Sequence, residues 1–211
     1  MGKLLRVNTK EKTFAFEGVP GAYEGLGGRA LTSKMILDEV PATCHALGKS
    51  NKLIFAPGLL TGSPAANSGR LSAGAKSPLT GGIKESNSGG YASQKLAKLG
   101  ITALVLEDKP ETADYSILVI NNEGVQILPA GDLTGKGNYA VMEILWEKYG
   151  KNVAVISIGQ AGEQCLKGAS MNQADLNGRP GRAHGRGGLG AVMGSKKIKA
   201  IVVDDKGAPR V

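Results

Sequence analysis

Cysteine is scarce: Cys44 and Cys165 are the only two in 211 residues. Two thiols build no disulfide framework, and alone they ligate neither a zinc ion nor an iron–sulfur cluster. Aromatic residues make up 4% of the chain, too few for a nucleic-acid surface built on interleaved stacking. No apolar run reaches the ~18 residues of a membrane span. The opening MGKLLRVNTKEKTFAFEG has neither the apolar core nor the small-residue cleavage site of a signal peptide. Nothing resembles a Ser/His/Asp set or a pair of catalytic carboxylates, and the GxxxxGK pattern of a phosphate-binding P-loop is missing. Together these absences point to a cytoplasmic chain with reduced thiols and no membrane span.

What the chain has in excess is glycine, 32 of 211 residues, about twice the usual ~7%. No collagen-like or linker-like period explains it. The glycines gather at 58–90 and 178–194, among Arg, Asn and Ser. Glycine costs backbone entropy on folding, so such clusters imply tight turns or a backbone that approaches a ligand closely. Hydrophobic residues at 41% suffice for a core, and Lys+Arg exceed Asp+Glu by 26 to 18, a net charge of +8.

Periodicity predicts strands at 3–9 and 13–17, then a helix over 30–40 with Leu31, Met35 and Ile36 on one face and Pro41 as its stop. A buried strand is expected at 52–58. The stretch 59–90 reads as a long Gly/Ser/Asn/Thr region, polar alternation in GRLSAGAKS notwithstanding. A short helix at 92–100 ends on Gly100, followed by an apolar strand at 101–108 and a hairpin over 115–130 that turns at Asn121–Gly124. The strongest helix is 137–150, with Tyr139, Met142, Ile144, Leu145 and Tyr149 as candidates for its buried side. Strands follow at 153–159 and within 196–205.

The pattern repeats. KLIFAPG (52–58) resembles VAVISIG (153–159), and GGYASQKLAKLGITALVLEDK (89–109) aligns with GGLGAVMGSKKIKAIVVDDK (187–206). A near-constant offset across separated segments predicts a duplicated unit, with pseudo-repeats near 52–109 and 153–206 inside one domain spanning 1–211. A pseudo-twofold arrangement brings both Gly/Arg loops to one site.

In the first loop the polar groups are Arg70, Lys76, Ser77, Asn87 and Ser88; in the second they are Arg179, Arg182, His184, Arg186 and Lys196. Arginine offers a planar fork of donors to phosphate, and glycine lets backbone N–H groups reach an anion unobstructed. The chemistry indicated is binding of a phosphate or a polar heterocycle. GRGGLG (185–190) matches GxGxxG, but no strand is expected to run into it, so a dinucleotide fold is not supported. Nucleic-acid binding is disfavoured, because Tyr91 is the only aromatic in either loop and the lysines are scattered. His184 stands among arginines, which favour its neutral form; it reads either as lining a ligand site or as a plain loop residue. The Cys44–His45 pair reads as loop or core, and Cys165 as a small buried hydrophobe.

LIFAPGLLTGSPA, GRLSAGAKSPLTGGIKESNSGGY and RAHGRGGLGAVMGSKKIKAIVV, with RVN near the start, GLGGRAL, and SIGQAGEQ followed by MN, closely resemble the N-terminal domain of the aldehyde ferredoxin oxidoreductase family. The resemblance runs along nearly the whole chain. It implies an α+β fold with large mixed sheets and internal duplication, forming the base on which a tungsten (or molybdenum) bis-pterin lies. It implies that Arg70 contacts this cofactor. The Asn87–Ser88–Gly89–Gly90 loop would meet one pterin phosphate, and Arg182, Ala183, Gly185 and Arg186 would form its counterpart. It also implies a magnesium ion bridging the phosphates, held partly by the main-chain carbonyls of Asn87 and Ala183.

Family members run much longer. Their later domains carry the ligands of a 4Fe–4S cluster, the loops that hold the far ends of the pterins, and the acid–base residues. None of these is in this sequence, so no catalytic residue is expected here. His184 also stands where the family commonly has alanine. The function implied is that of a cofactor-binding part of an enzyme that oxidises aldehydes to carboxylic acids, partnered by catalytic domains or a catalytic subunit and, through them, by ferredoxin. A sugar aldehyde or an aromatic acyl substrate is an open variant. Two other functions stand beside it: a metal-pterin carrier without redox activity, and a basic nucleic-acid-binding module.

Overall fold

A computed structural model describes residues 2–175 and 177–208. The first half opens with a hairpin of β1 (Lys3–Asn8) and β2 (Thr13–Gly18). It continues through α1 (Gly28–Glu39), β3 (Leu53–Pro57), β4 (Leu71–Lys76), β5 (Ile83–Ser88), α2 (Ala92–Lys98) and β6 (Ile101–Glu107). Its strands form one sheet in the order β2-β1-β6-β3-β4-β5. The second half runs β7 (Ser116–Asn121), β8 (Gly124–Pro129), α3 (Asn138–Tyr149), β9 (Ala154–Ser157), α4 (Gln160–Glu163), β10 (Met171–Gln173), β11 (Arg182–His184), α5 (Leu189–Ser195) and β12 (Ile198–Val203). Its sheet reads β8-β7-β12-β9-β10-β11 from the corresponding edge.

The two orders are the same, strand for strand. In each sheet only one pair is parallel, β1 with β6 and β7 with β12. Even an irregularity is shared: the β6 partners of β1 step from Ile101 to Ala103, and the β12 partners of β7 step from Ile198 to Ala200. The bulged residues, Thr102 and Lys199, therefore occupy equivalent places. The fold is the α+β, two-half architecture with mixed sheets that the resemblance implied. The structural correspondence runs from β1 to β6 and from β7 to β12, well beyond the segments in which the sequence repeat is visible.

The sheets share a core. Leu5, Phe55 and Leu104 from the first and Ile117, Ile156 and Val202 from the second belong to one buried cluster, with Leu96 of α2 and Val192 of α5 inside it. The two short helices pack crosswise: α2 touches β9 and β12, while α5 touches β3 and β4. Each fully buried aliphatic side chain contributes roughly 1.5–3 kcal/mol, so the halves stabilise each other. On the outer face of the first sheet, α1 sets Leu31, Met35 and Ile36 against Leu4, Ile54 and Val105. Helix α5 lies directly on backbone: a Cβ on Gly194 would stand 1.8 Å from the carbonyl oxygen of Gly162.

Several expectations need correction. The stretch 59–90 contains β4 and β5, an antiparallel pair registered from Leu71↔Ser88 to Lys76↔Ile83. Small residues there serve packing, since a Cβ on Gly74 would come within 2.6 Å of the Thr32 Cβ on α1. On α3 the buried residues are Val141, Met142 and Leu145, whereas Tyr139 and Ile144 are 65% and 36% exposed. A strand, β11, does run into GRGGLG, though only three residues long. Cys165 is half-buried rather than buried and takes a left-handed backbone with φ 52°. Lys196 is fully buried, with Nζ donating to the carbonyls of Asn51 and Asp108 at 2.6 and 2.7 Å; it fastens α5 to the first half. Lys76 likewise turns from the loop to the carbonyl of Cys44 at 2.7 Å.

A basic groove between the two halves

Strands β5 and β11 hold equivalent outer positions in their sheets, and they meet. The imidazole Nδ1–H of His184 donates to the carbonyl of Ser86 at 2.8 Å, and the Arg186 amide donates to Ser86 Oγ at 3.1 Å. One loop away, Ser77 Oγ donates to the carbonyl of Gly187 at 2.6 Å. The two Gly/Arg clusters are thereby tied through three bonds far apart in sequence.

His184 is buried in the core, while Ser86, Asn87 and Ala183 line one cavity of about 710 Å³, with Gly185 and Arg186 beside Ala183. Arg29 and Ser33 of α1, Arg70, Ile83, Lys84 and Glu85 complete its lining. Four cations thus surround a single carboxylate, and that carboxylate is engaged by Ser72 Oγ at 2.7 Å. None of Arg29, Arg70, Lys84 and Arg186 forms an ion pair among the described residues. Unneutralised cations in a concave wall of low dielectric focus a positive field. Arg70 is oriented by Asn87, donating Nε to its side-chain oxygen and Nη2 to its backbone carbonyl at 3.4 Å. A smaller cavity of about 380 Å³ adjoins, sharing Arg29, Arg70, Glu85 and Asn87 and adding Gly28, Gly58 and Ser72.

Residues 4–205 match the family model described as aldehyde ferredoxin oxidoreductase, N-terminal domain. The chain belongs to this family. It is 43% identical over 209 residues to the tungsten-containing aldehyde ferredoxin oxidoreductase of Pyrococcus horikoshii, covering 96% of this chain and 33% of that protein. It is 28% identical to the WOR-like subunit of the aliphatic sulfonate oxidoreductase of Pyrococcus furiosus, covering 98% of this chain and 34% of that one. Among solved structures, the active-site complex BamBC of benzoyl coenzyme A reductase with 1,5-dienoyl-CoA matches with a TM-score of 0.88 and 33% identity. That match covers 96% of this chain and 30% of the other. The chain spans about a third of the length of these relatives.

Within this aldehyde ferredoxin oxidoreductase N-terminal domain, not every residue singled out in the sequence reaches the cavity. Arg182 is exposed on β11, and its Cδ lies 3.9 Å from where a Cβ on Gly89 would sit; these two face each other next to the cavity. Gly90 has φ +122°, and a Cβ there would fall 2.5 Å from the side-chain oxygen of Gln173, so only glycine fits the turn. Ser88 is buried and donates to the Gly89 carbonyl at 2.9 Å. His184 does not face the groove. It is fully buried, edge-on to Phe55 with centroids 6.2 Å apart; burial, aided by the charge of Arg70 and opposed by the Ser86 bond, pushes it down to about 4.

Arg29, Ser33, Lys84 and Glu85 were missed as site residues. The GLGGRAL motif held the signal for Arg29, but a helical residue 41 positions before Arg70 joins the site only once α1 lies across β4 and β5.

The donors favour an anion. Magnesium is a weaker match on its own: no cluster of three His, Cys, Asp or Glu is found among the described residues, and the Asn87 carbonyl already receives Arg70. A divalent cation beside four positive side chains is stable only where ligand oxygens bring negative charge with them.

Proposed function

We propose that this chain is the cofactor-bearing base of a tungsten, or alternatively molybdenum, bis-pterin oxidoreductase. The observation that carries this reading is the joint lining of one cavity by Asn87 of the first half and Ala183 of the second, within reach of four unpaired cations. Arg70, Arg29, Lys84 and Arg186 would hold phosphate oxygens of the pterins, and the Gly89–Arg182 side would receive the second phosphate. The Asn87 and Ala183 carbonyls would join a magnesium ion once both phosphates are present. Ser88 and Gly90 keep the loop backbone in shape, and Gly185 offers bare backbone beside Ala183. When bound, the metal dithiolene supplies two-electron redox chemistry; this chain contributes placement and field.

The substrate class we infer from the family is an aldehyde, oxidised to the carboxylic acid, with ferredoxin accepting electrons through a 4Fe–4S cluster. Cluster and acid–base groups belong to the remaining two-thirds of the enzyme, in cis or as a partner subunit, working in the cytoplasm. The test is metal and pterin content per chain in tagged protein purified anaerobically from its native host. Near-stoichiometric tungsten or molybdenum with aldehyde-dependent ferredoxin reduction supports the reading. Metal without that activity leaves a carrier, and no metal or pterin overturns it.

A further inference from the structure

A separate groove of about 940 Å³ lies where the chain leaves β12, with Asp204, Asp205 and Lys206 in its wall beside Tyr91, Trp146 and Lys151. Its aromatic floor is held in place. The Trp146 Nε1–H donates to the Val153 carbonyl at 3.3 Å, and a Cβ on Gly178 would lie 2.3 Å from the indole ring, so the ring rests on bare glycine backbone. Lys95 and Lys98 both pair with Asp205, whereas Lys151 and Lys206 have no ion-pair partner among the described residues. Asp175 and Asp204 also line the groove without an ion pair among the described residues, so a held Trp and a half-exposed Tyr lie between unpaired groups of both signs, the composition of an interface anchor with a polar rim. No residue of this groove lines the cofactor cavity.

What covers it follows from where the chain goes. The family model describes an N-terminal domain, and this chain matches about a third of its relatives. In those relatives the polypeptide after the position of Asp205 therefore starts at the wall of this groove.

We propose that the groove seats the polypeptide that follows β12 in longer family members, through an apolar or aromatic anchor on Trp146 and Tyr91, with acidic groups facing Lys151 and Lys206 and basic groups facing Asp175 and Asp204. This rests on the reading of the chain as the base of a larger oxidoreductase. Tyr91 directly follows Gly89 and Gly90, so a segment seated here braces the loop assigned to the second phosphate and couples domain docking to the cofactor site.

The test replaces Asn152, an exposed groove residue, with a benzophenone amino acid in protein purified from its native host and irradiated under anaerobic conditions. Cross-linked peptides are expected from polypeptide matching the later two-thirds of the relatives, close after the Asp205 position. Reversing charge with Lys151→Glu and Lys206→Glu is expected to cut that yield at least threefold. Cross-links confined to this domain or to a second copy of it, or none at all, overturn the proposal. Metal analysis of the same sample separates the two readings: metal without the cross-link refutes the docking alone, and the cross-link without metal refutes the cofactor assignment alone.

Discussion

His184 and Ser86 join the outer strands of two sheets that are copies of one another, through a 2.8 Å bond from imidazole Nδ1–H to a backbone carbonyl. One residue from each partner, Ala183 and Asn87 open into the basic groove. The bond is thus buried beneath the site and sets the spacing of its two sides.

Protonating this histidine works against the fold. Burial holds the folded imidazole at about 4, against 6.5 for the free group. Between these values the unfolded chain binds a proton that the native state refuses, so stability falls as pH drops from 6.5 toward 4 and is unaffected above 6.5. The full difference is of order 3 kcal/mol. Denaturant titrations across this range are expected to show a shallower slope for His184→Gln than for the parent; identical slopes would place the titrating group elsewhere.

A second pH dependence has the opposite kind of group at its centre. Glu39 takes Arg6 at 2.8 Å and Lys52 at 2.6 Å. Burial alone pushes its carboxyl up, but these two cations overcome it and hold it at about 2, below its ordinary 4.5. The resulting stabilisation is complete above 4.5 and disappears as pH falls through 2. Glu39→Gln is expected to cost about 1–3 kcal/mol at neutral pH, with parent and variant converging near pH 2 in urea melts.

Much of the architecture was legible because it depends on apolar period and turn chemistry. Asn121–Gly124 predicts its hairpin, and Gly100 closes α2 with φ +72°. The β4–β5 pair was not legible. Its strands are written in Ser, Gly, Ala and Asn because α1 lies too close for larger side chains, so local composition reads as loop. Three-residue strands such as Arg182–His184 carry no period at all. Among the residues lining the basic cavity, Arg70, Asn87 and Ala183 carry motifs that single them out in the sequence, while Arg29 and Lys84 depend on tertiary placement. His184 was ambiguous because its arginine neighbours in sequence point outward while its own side chain points in.

Close approach of α5 to backbone gives a steric prediction. A methyl group on Gly194 would collide with the Gly162 carbonyl at 1.8 Å, whereas one on Gly82 meets nothing within 4 Å. Overpacking against backbone costs about 1–3 kcal/mol, so Gly194→Ala is expected to lower the unfolding midpoint clearly and Gly82→Ala to leave it within about 0.5 kcal/mol. Equal effects would mean that α5 does not rest on the Gly162 backbone.

Arg29 offers the sharpest functional test, because it lines both adjoining cavities and forms no ion pair that a substitution would break. If α1 is part of the cofactor cradle, Arg29→Ala removes one of four cations from a site whose task is to hold phosphate. Charge-assisted hydrogen bonds contribute about 1.5–3 kcal/mol each, so bound tungsten or molybdenum and pterin are expected to fall about tenfold or more at limiting cofactor, with an unchanged thermal midpoint for the cofactor-free chain. Arg70→Ala is expected to match it, since Arg70 faces the same two cavities. A variant of Arg29 that retains full metal, beside an Arg70 variant that loses it, would confine the cradle to β4, β5 and β11 and leave α1 with a purely structural place over the first sheet.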